Sequence, residues 1–336
     1  MCIDKPFKTI DEQLKILENR NLLFLNKETA RNSLKRYGYY EVINVYKDPF
    51  LKKKNDDIFK NETTFEHIYA LYNLDKELSR DLLQGLEQFE QNFKQSLAYV
   101  ISEKISADYS LYANKDNFNL GKVYRDKKKK IVASDRDNLL KKFHNIHNYQ
   151  INPFKHYRDN HGNIPPWIMV KGLTFGQTIY WYRLSSKEIR LSVLSIMLGI
   201  DENIIRSTDS TMKYSQTFGD LLALYLNYRN LTAHGSRVYN YRSNKYRLRR
   251  TPLLYNNNGI KITTKEFNDN KYRSSLGVVL YSLSIFENQD PYLSTNSWVI
   301  THLQLYLKKY PNDIDYLWDS MELSADKLLN KEILLK

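Results

Sequence analysis

The sequence predicts an all-α protein, on three observations. Glycine and proline are scarce, 11 and 8 in 336 residues, so the turns that a many-stranded fold needs are missing. Apolar residues recur every three or four positions over long stretches. Several of those stretches open on a hydroxyl residue with Glu three positions later, the capping-box pattern of a helix start. With 42% hydrophobic and 13% aromatic residues, the chain is rich enough in apolar side chains to fold and is not an intrinsically disordered one.

Taken in order, Thr9 and Glu12 form a capping box ahead of Leu14 and Leu17 and start a first helix. A second runs toward Leu34 and Tyr37, where Gly38 stops it. The polar stretch Lys52-Lys53-Lys54-Asn55-Asp56-Asp57 reads as a loop and divides an N-terminal lobe, residues 1–60, from a larger domain, 61–336. Thr63 and Glu66 are expected to cap the strongest periodic segment. There, Leu71, Leu74, Leu78, Leu82, Leu86, Phe89, Phe93, Leu97 and Val100 keep close to a 3.6-residue period and mark one long helix. Residues 105–166 are irregular, with the run Lys127–Lys130 and a helix near Leu139–Phe143. Helical patterns return over Phe175–Leu184. Ser185 and Glu188 then cap Ile189–Leu198, which Gly199 ends, and Thr217 with Asp220 opens a helix through Phe218, Leu221, Leu222, Tyr225 and Tyr228. Further helices are expected around Leu276–Phe286 and Trp298–Leu307, and a short β excursion near Ile260–Thr264.

The single cysteine, Cys2, excludes an intramolecular disulfide framework, and no stretch reaches the roughly 18 apolar residues of a membrane-spanning helix. The N-terminus has no apolar signal core, so a cytoplasmic protein with no membrane partner is expected. Phosphate-loop, dinucleotide-fold, His-Glu-x-x-His and Gly-x-Ser-x-Gly signatures are all missing, and no cofactor or metal is expected. His144 and His147, three apart, lack the further ligands that a metal site needs. Lys and Arg number 51 against 38 Asp and Glu, a net charge of +13 that favours a polyanionic partner, RNA first.

One constellation carries chemistry. Arg229 and His234 stand five residues apart at the end of a helix that Gly235 closes. Arginine presents a permanent planar cation suited to phosphate, and histidine, with an ordinary pKa of roughly 6.5, moves protons near neutral pH. Together they suffice for cutting RNA without metal: a base takes the ribose 2′-hydroxyl proton, arginine stabilises the charged phosphorus centre, and an acid protonates the leaving oxygen. From Arg229 to Lys265 no Asp or Glu occurs, where average usage, 38 in 336, predicts about four. That window holds nine cations, with tyrosines among them. Arg237, Tyr239, Arg242, Lys245, Arg247, Arg249 and Arg250 are the candidate RNA-binding residues, cations for phosphates and tyrosine rings for bases.

Arg229-Asn230-Leu231-Thr232-Ala233-His234-Gly235-Ser236-Arg237-Val238-Tyr239-Asn240 resembles the signature of the Abi-like abortive-infection family, of the AbiD/AbiF type. Further stretches agree in order: Lys8–Leu14, Arg20–Leu22, Tyr37–Tyr40, Leu71–Arg80 running to Glu87 and Glu90, Pro166–Val170 and Leu173–Gly176. The resemblance implies a HEPN-type helical bundle in which two copies of the pattern face each other. This chain carries one copy, so a homodimer is implied. It also implies phosphate contact by Arg229, acid–base work by His234, and Asn230 orienting the pair by hydrogen bonds. Lys94 stands where the family often has Arg, a position implied to support the site. Some members pair with a small non-coding RNA. The resulting expectation is a phage-defence protein acting as a metal-independent endoribonuclease, with a basic insertion at about 236–265. The alternative is a non-catalytic RNA-binding protein that forms a ribonucleoprotein with a structured non-coding RNA. A protein scaffold using the acidic C-terminal residues Asp313, Asp315, Asp319, Glu322 and Asp326 is a third reading.

Overall fold

The computed structural model describes residues 6–53, 56–127, 130–325 and 329–335. Lys54, Lys128, Lys129 and Asp326, parts of three charge clusters singled out above, lie outside the described residues. The all-α expectation is met. The helices of eight residues or more are α1 (Ile10–Asn19), α2 (Lys27–Tyr37), α3 (Phe65–Lys104), α4 (Asp135–His147), α5 (Phe154–His161) and α6 (Phe175–Leu184). They continue with α7 (Lys187–Leu198), α8 (Glu202–Met212), α9 (Tyr214–Ala233), α10 (Leu276–Leu283), α11 (Asp290–Lys309) and α12 (Ile314–Met321). The strands among the described residues are two short ones, β1 (Val123–Arg125) and β2 (Ile131–Ser134), paired antiparallel with Val123 opposite Ser134.

α3 is the spine. All nine apolar residues of its predicted stripe are buried. Other elements cover it on several sides: α11 and α9 run along it, α7 crosses it, and the N-terminal segment packs on its first turns. Phe89, Phe93, Phe175, Phe218, Tyr225 and Phe286 interlock edge-to-face in the centre; Phe89 lies 4.8 Å from Tyr225 and Phe93 5.8 Å from Phe218. Those pairs set α9 antiparallel to α3. The N-terminal residues join the same hydrophobic cluster, and the backbone of Leu23 bonds to both Thr63 and Phe65. Among the described residues no helix is long and apolar enough to cross a membrane.

Local details depart from the sequence reading in instructive ways. The capping box at Thr9 and Glu12 and the stops at Gly38 and Gly199 are as expected. The long helix is capped by Thr64, whose hydroxyl accepts from the His67 N–H. Glu66 instead reaches across to the backbone N–H groups of Leu25 and Asn26. Ser186, not Ser185, caps α7, because the Ser185 hydroxyl is buried and donates to the Trp181 carbonyl. α9 begins at Tyr214, three residues before Thr217. Thr217 sits within the first turn, bonded to the Lys213 carbonyl and the Thr251 hydroxyl, and Asp220 is taken by Arg249. No strand forms at 260–264. Thr263 and Glu266 make a reciprocal capping box there and start a short helix, Thr264–Asn268.

Gly85 marks the closest approach of α3 to α11. A β-carbon at this position would overlap the Thr295 hydroxyl and press on the Pro291 carbonyl at 3.1 Å. Gly85→Ala is therefore expected to cost about 1–3 kcal/mol through overpacking. Urea denaturation should show a lower midpoint at an unchanged slope, and Thr295→Ala in the same chain should recover part of the loss.

Candidate functional site

The Arg–His segment owes its shape to the way α9 ends. Tyr225, Tyr228 and Thr232 point into the core, and the Tyr228 hydroxyl donates to the Ser274 carbonyl at 2.8 Å. This fixes the rotation of the helix. Asn230 and His234, four apart on one face, are left exposed, with Arg229 on the flank toward α3. Gly235, at φ +67°, closes the helix: its N–H bonds to the Thr232 carbonyl and the Ser236 N–H to the Leu231 carbonyl. That is the Schellman pattern, which a left-handed glycine makes possible. His234 is thus the C-cap, held at the end of the helix and open to solvent. Among the described residues no side-chain hydrogen bond joins Arg229, Asn230 and His234 to one another.

Arg229 is held from behind. Its Nε lies 3.6 Å from the Glu90 carboxylate on α3, and the other Glu90 oxygen is 2.6 Å from the Lys94 ammonium. Lys94 also donates to the Leu173 carbonyl at 2.8 Å. Glu90 and Lys94 are buried, whereas the Arg229 side chain is 34% exposed. Two cations against one carboxylate leave a net positive charge, and the 3.6 Å approach of Arg229 to Glu90 is an ion pair without a hydrogen bond. The position occupied by Lys94 thus touches the site through Glu90.

The chain leaving the motif is pinned by Asp75, also on α3 and fully buried. One carboxylate oxygen accepts from the Val238 and Tyr239 N–H groups at 3.0 and 2.7 Å; the other accepts from the Tyr46 hydroxyl at 2.6 Å. Burial pushes the Asp75 carboxyl up from its ordinary value, and these donors oppose the shift. Burial, then Asp75, push the Tyr46 hydroxyl up as well. Arg237 donates to the Val45 carbonyl and lies over the Tyr239 ring, and the Lys76 ammonium reaches the Gly235 carbonyl at 2.5 Å. The N-terminal segment and the long helix therefore hold the motif's exit between them.

The basic stretch after the motif is folded rather than a loose arm. Tyr239 is 0% exposed, stacked on Tyr46 and bonded to the Tyr316 hydroxyl, so it offers no ring face to a base. Arg242 pairs with Glu322 at 3.2 Å and donates to the Ser320 carbonyl. Arg249 grips Asp220 through two bonds of 2.8 and 2.7 Å. The carboxylates missing from this stretch are supplied by distant parts of the chain. Arg247 bonds to Asn244 and Asn270, and Arg250 to Thr264 and the Ile262 carbonyl. Lys245 is exposed, its ammonium 5.1 Å from the Tyr246 ring. An open cavity of about 430 Å³ is lined by Arg250, Lys261 and the Asn256–Asn257 amides. Away from this region, His144 bonds to Asn148 and His147 packs on Tyr109, and among the described residues no three His, Cys, Asp or Glu side chains converge as a metal site.

Sequence reasoning missed Asp75, Tyr46 and Lys76. The signal for Asp75 was a carboxylate lying four residues after Leu71 and three before Leu78, inside an apolar stripe.

The sequence model of the family described as Abi-like protein matches residues 32–240, which spans α3, Asp75, Glu90, Lys94 and the whole Arg–His segment. The chain belongs to the Abi-like family. This membership points to abortive infection, a defence against phage. The match stops at Asn240, so Arg242, Lys245, Arg247, Arg249 and Arg250 lie beyond it. No curated protein and no solved structure matches the chain.

Removing the Asp75 carboxylate strands two buried N–H groups and a buried hydroxyl, each worth about 1–3 kcal/mol when left unpaired. Asp75→Ala is expected to lower the denaturant midpoint sharply, and Asp75→Asn, which keeps an acceptor oxygen, less so. Because burial raises the folded carboxyl's pKa, its contribution to stability is greatest at low pH. That contribution falls as pH rises through the interval from the ordinary unfolded value, about 3.9, to the raised one. The stability of wild type relative to Asp75→Asn should decline across that interval.

Proposed function

We propose that this Abi-like protein is a metal-independent endoribonuclease of the HEPN type, acting in the cytoplasm as a two-fold dimer. The observation that carries this reading is the pairing of a solvent-exposed helix-end histidine, His234, with an arginine anchored from behind by a buried carboxylate. Arg229 is kept for a phosphate, and the local charge stays positive after Glu90 is counted. One subunit supplies one histidine. Cleavage needs a base and an acid, and two-fold symmetry brings a second His234 to the same phosphate.

The reaction follows from these groups. One His234 takes the proton of the ribose 2′-hydroxyl, and the 2′ oxygen attacks phosphorus. Arg229 stabilises the negative charge that builds on the phosphoryl oxygens. The other His234 donates a proton to the departing 5′ oxygen. The products are a 2′,3′-cyclic phosphate and a 5′-hydroxyl. Asn230, exposed on the same helix face as His234, is positioned to orient the imidazole or the ribose.

RNA is held electrostatically, and the exposed Lys245 and Arg250 and the half-buried Arg247 are the better candidates within the basic stretch, Arg250 lining the 430 Å³ cavity. Arg249 and Arg242 are partly neutralised by Asp220 and Glu322, and Tyr239 is enclosed. A structured non-coding RNA, serving as regulator as well as ligand, suits a surface of this kind. A protein that holds such an RNA without cutting it would share these cations but not depend on His234.

His234→Ala and Arg229→Ala should each lower RNA cleavage by about 10²- to 10⁴-fold, and His234→Ala should leave RNA affinity close to wild type. End-labelled RNA assayed with EDTA present checks this through the 2′,3′-cyclic ends, and undiminished cleavage by the His234 variant sinks the nuclease reading. For binding, affinity should fall steeply with salt. Replacing Lys245, Arg247 and Arg250 together by Gln should flatten the log–log slope by about 2 on single-stranded RNA. Arg249→Gln, whose charge Asp220 already offsets, should change the slope little.

A further inference from the structure

Beside the motif, three tyrosines from two helices form a continuous aromatic cluster. Tyr69 and Tyr72 on α3 stack with ring centres 5.6 Å apart and planes 11° apart. Tyr37, the last residue of α2, leans on both, at 6.3 Å from Tyr69 and 5.6 Å from Tyr72. Tyr72 is almost wholly buried, whereas Tyr37 remains 44% exposed at the end of α2. The Lys76 ammonium lies 5.2 Å from the Tyr72 ring centre and bonds to the Gly235 carbonyl, one residue from His234. An exposed aromatic surface is thus joined to the Arg–His segment through a single lysine.

Its chemistry is not that of a phosphate groove. Lys76 is already engaged by a carbonyl, and the Glu41 carboxylate lies close enough to act on the Tyr72 hydroxyl. What the patch offers is an aromatic face, with the Lys76 cation and the Glu41 carboxylate near Tyr72. That suits a nucleobase, which has π-faces of its own and exocyclic amino groups. A duplex, whose bases are stacked on each other, has no free face to give.

We propose that Tyr37, backed by Tyr69 and Tyr72, is a stacking platform for an unpaired base of the RNA bound beside His234. The inference rests on the ribonuclease reading and deepens it: the substrate is single-stranded next to the scissile phosphate. Tyr37 is a positioning residue, and its contribution lies in binding rather than in proton transfer. Gly38 follows it at φ +86° and ends α2, leaving the Tyr37 side chain 44% exposed at the helix end.

The test uses the full chain carrying His234→Ala, so that binding is read without cleavage. The probe is a short single-stranded oligoribonucleotide containing 2-aminopurine, whose fluorescence falls when it stacks on an aromatic ring. Tyr37→Ala should weaken binding about tenfold and abolish the quenching, and Tyr37→Phe should keep both. Affinity for a duplex of the same sequence should not move. Thermal midpoints confirm that the compared variants are folded. Wild-type affinity and quenching in Tyr37→Ala, or equal losses in the Ala and Phe variants, would overturn the platform. The wild-type chain is assayed for cleavage in parallel. If it leaves RNA intact while Tyr37→Ala still loses quenching, the nuclease reading fails and the platform stands.

Discussion

A forty-residue helix with apolar residues on more than one side has to be covered by other elements along its length, and that requirement organises this protein. α3 is too long for any single partner to cover. α11, α9, α7 and the N-terminal segment divide its surface among them. Because all of them share one spine, features far apart in the chain acquire fixed positions relative to one another. Tyr37 and Gly235 are about two hundred residues apart in sequence, yet both meet the same few turns of α3.

The polar residues that interrupt the spine matter as much as its apolar ones. Asp75, Lys76, Glu90 and Lys94 each engage a group on another element, and three of the four act on the Arg–His segment directly: Asp75 on its exit, Lys76 on the Gly235 carbonyl, and Glu90 on Arg229. Lys94 acts through Glu90. A buried carboxylate is costly unless it is bonded, and Asp75 is bonded to donors from two separate regions. The chain thereby makes the geometry around His234 a property of its interior, although His234 itself is at the surface.

Much of this was legible in the sequence. The stripe from Leu71 to Val100 defined the spine, and Gly38, Gly199 and Gly235 marked helix ends correctly. Two of the three misplaced caps involve adjacent hydroxyl residues, Thr63-Thr64 and Ser185-Ser186. Pattern alone does not separate such neighbours; burial of the first does. The basic stretch misled for a related reason. Counting charges in a window omits carboxylates contributed from elsewhere, and Asp220 and Glu322 reach Arg249 and Arg242 only in three dimensions. Tyr239 looked like a surface ring because its neighbours are cationic, but Arg237 lies over it with its charge turned to a backbone carbonyl. The Asp75 contacts to Val238 and Tyr239 span more than 160 residues, a separation over which local pattern carries no information.

The clasp formed by Tyr46, Asp75 and the backbone at Val238–Tyr239 has an evolutionary consequence. Its three parts come from the N-terminal segment, the spine and the segment just past the motif. A gene exchange that replaced the N-terminal segment of this chain with that of a distant relative would bring in a foreign register opposite an unchanged carboxylate. Such a chimaera would leave buried N–H groups or a buried hydroxyl unpaired even if Arg229 and His234 were retained. The N-terminal segment and the motif are thereby coupled through one buried carboxylate.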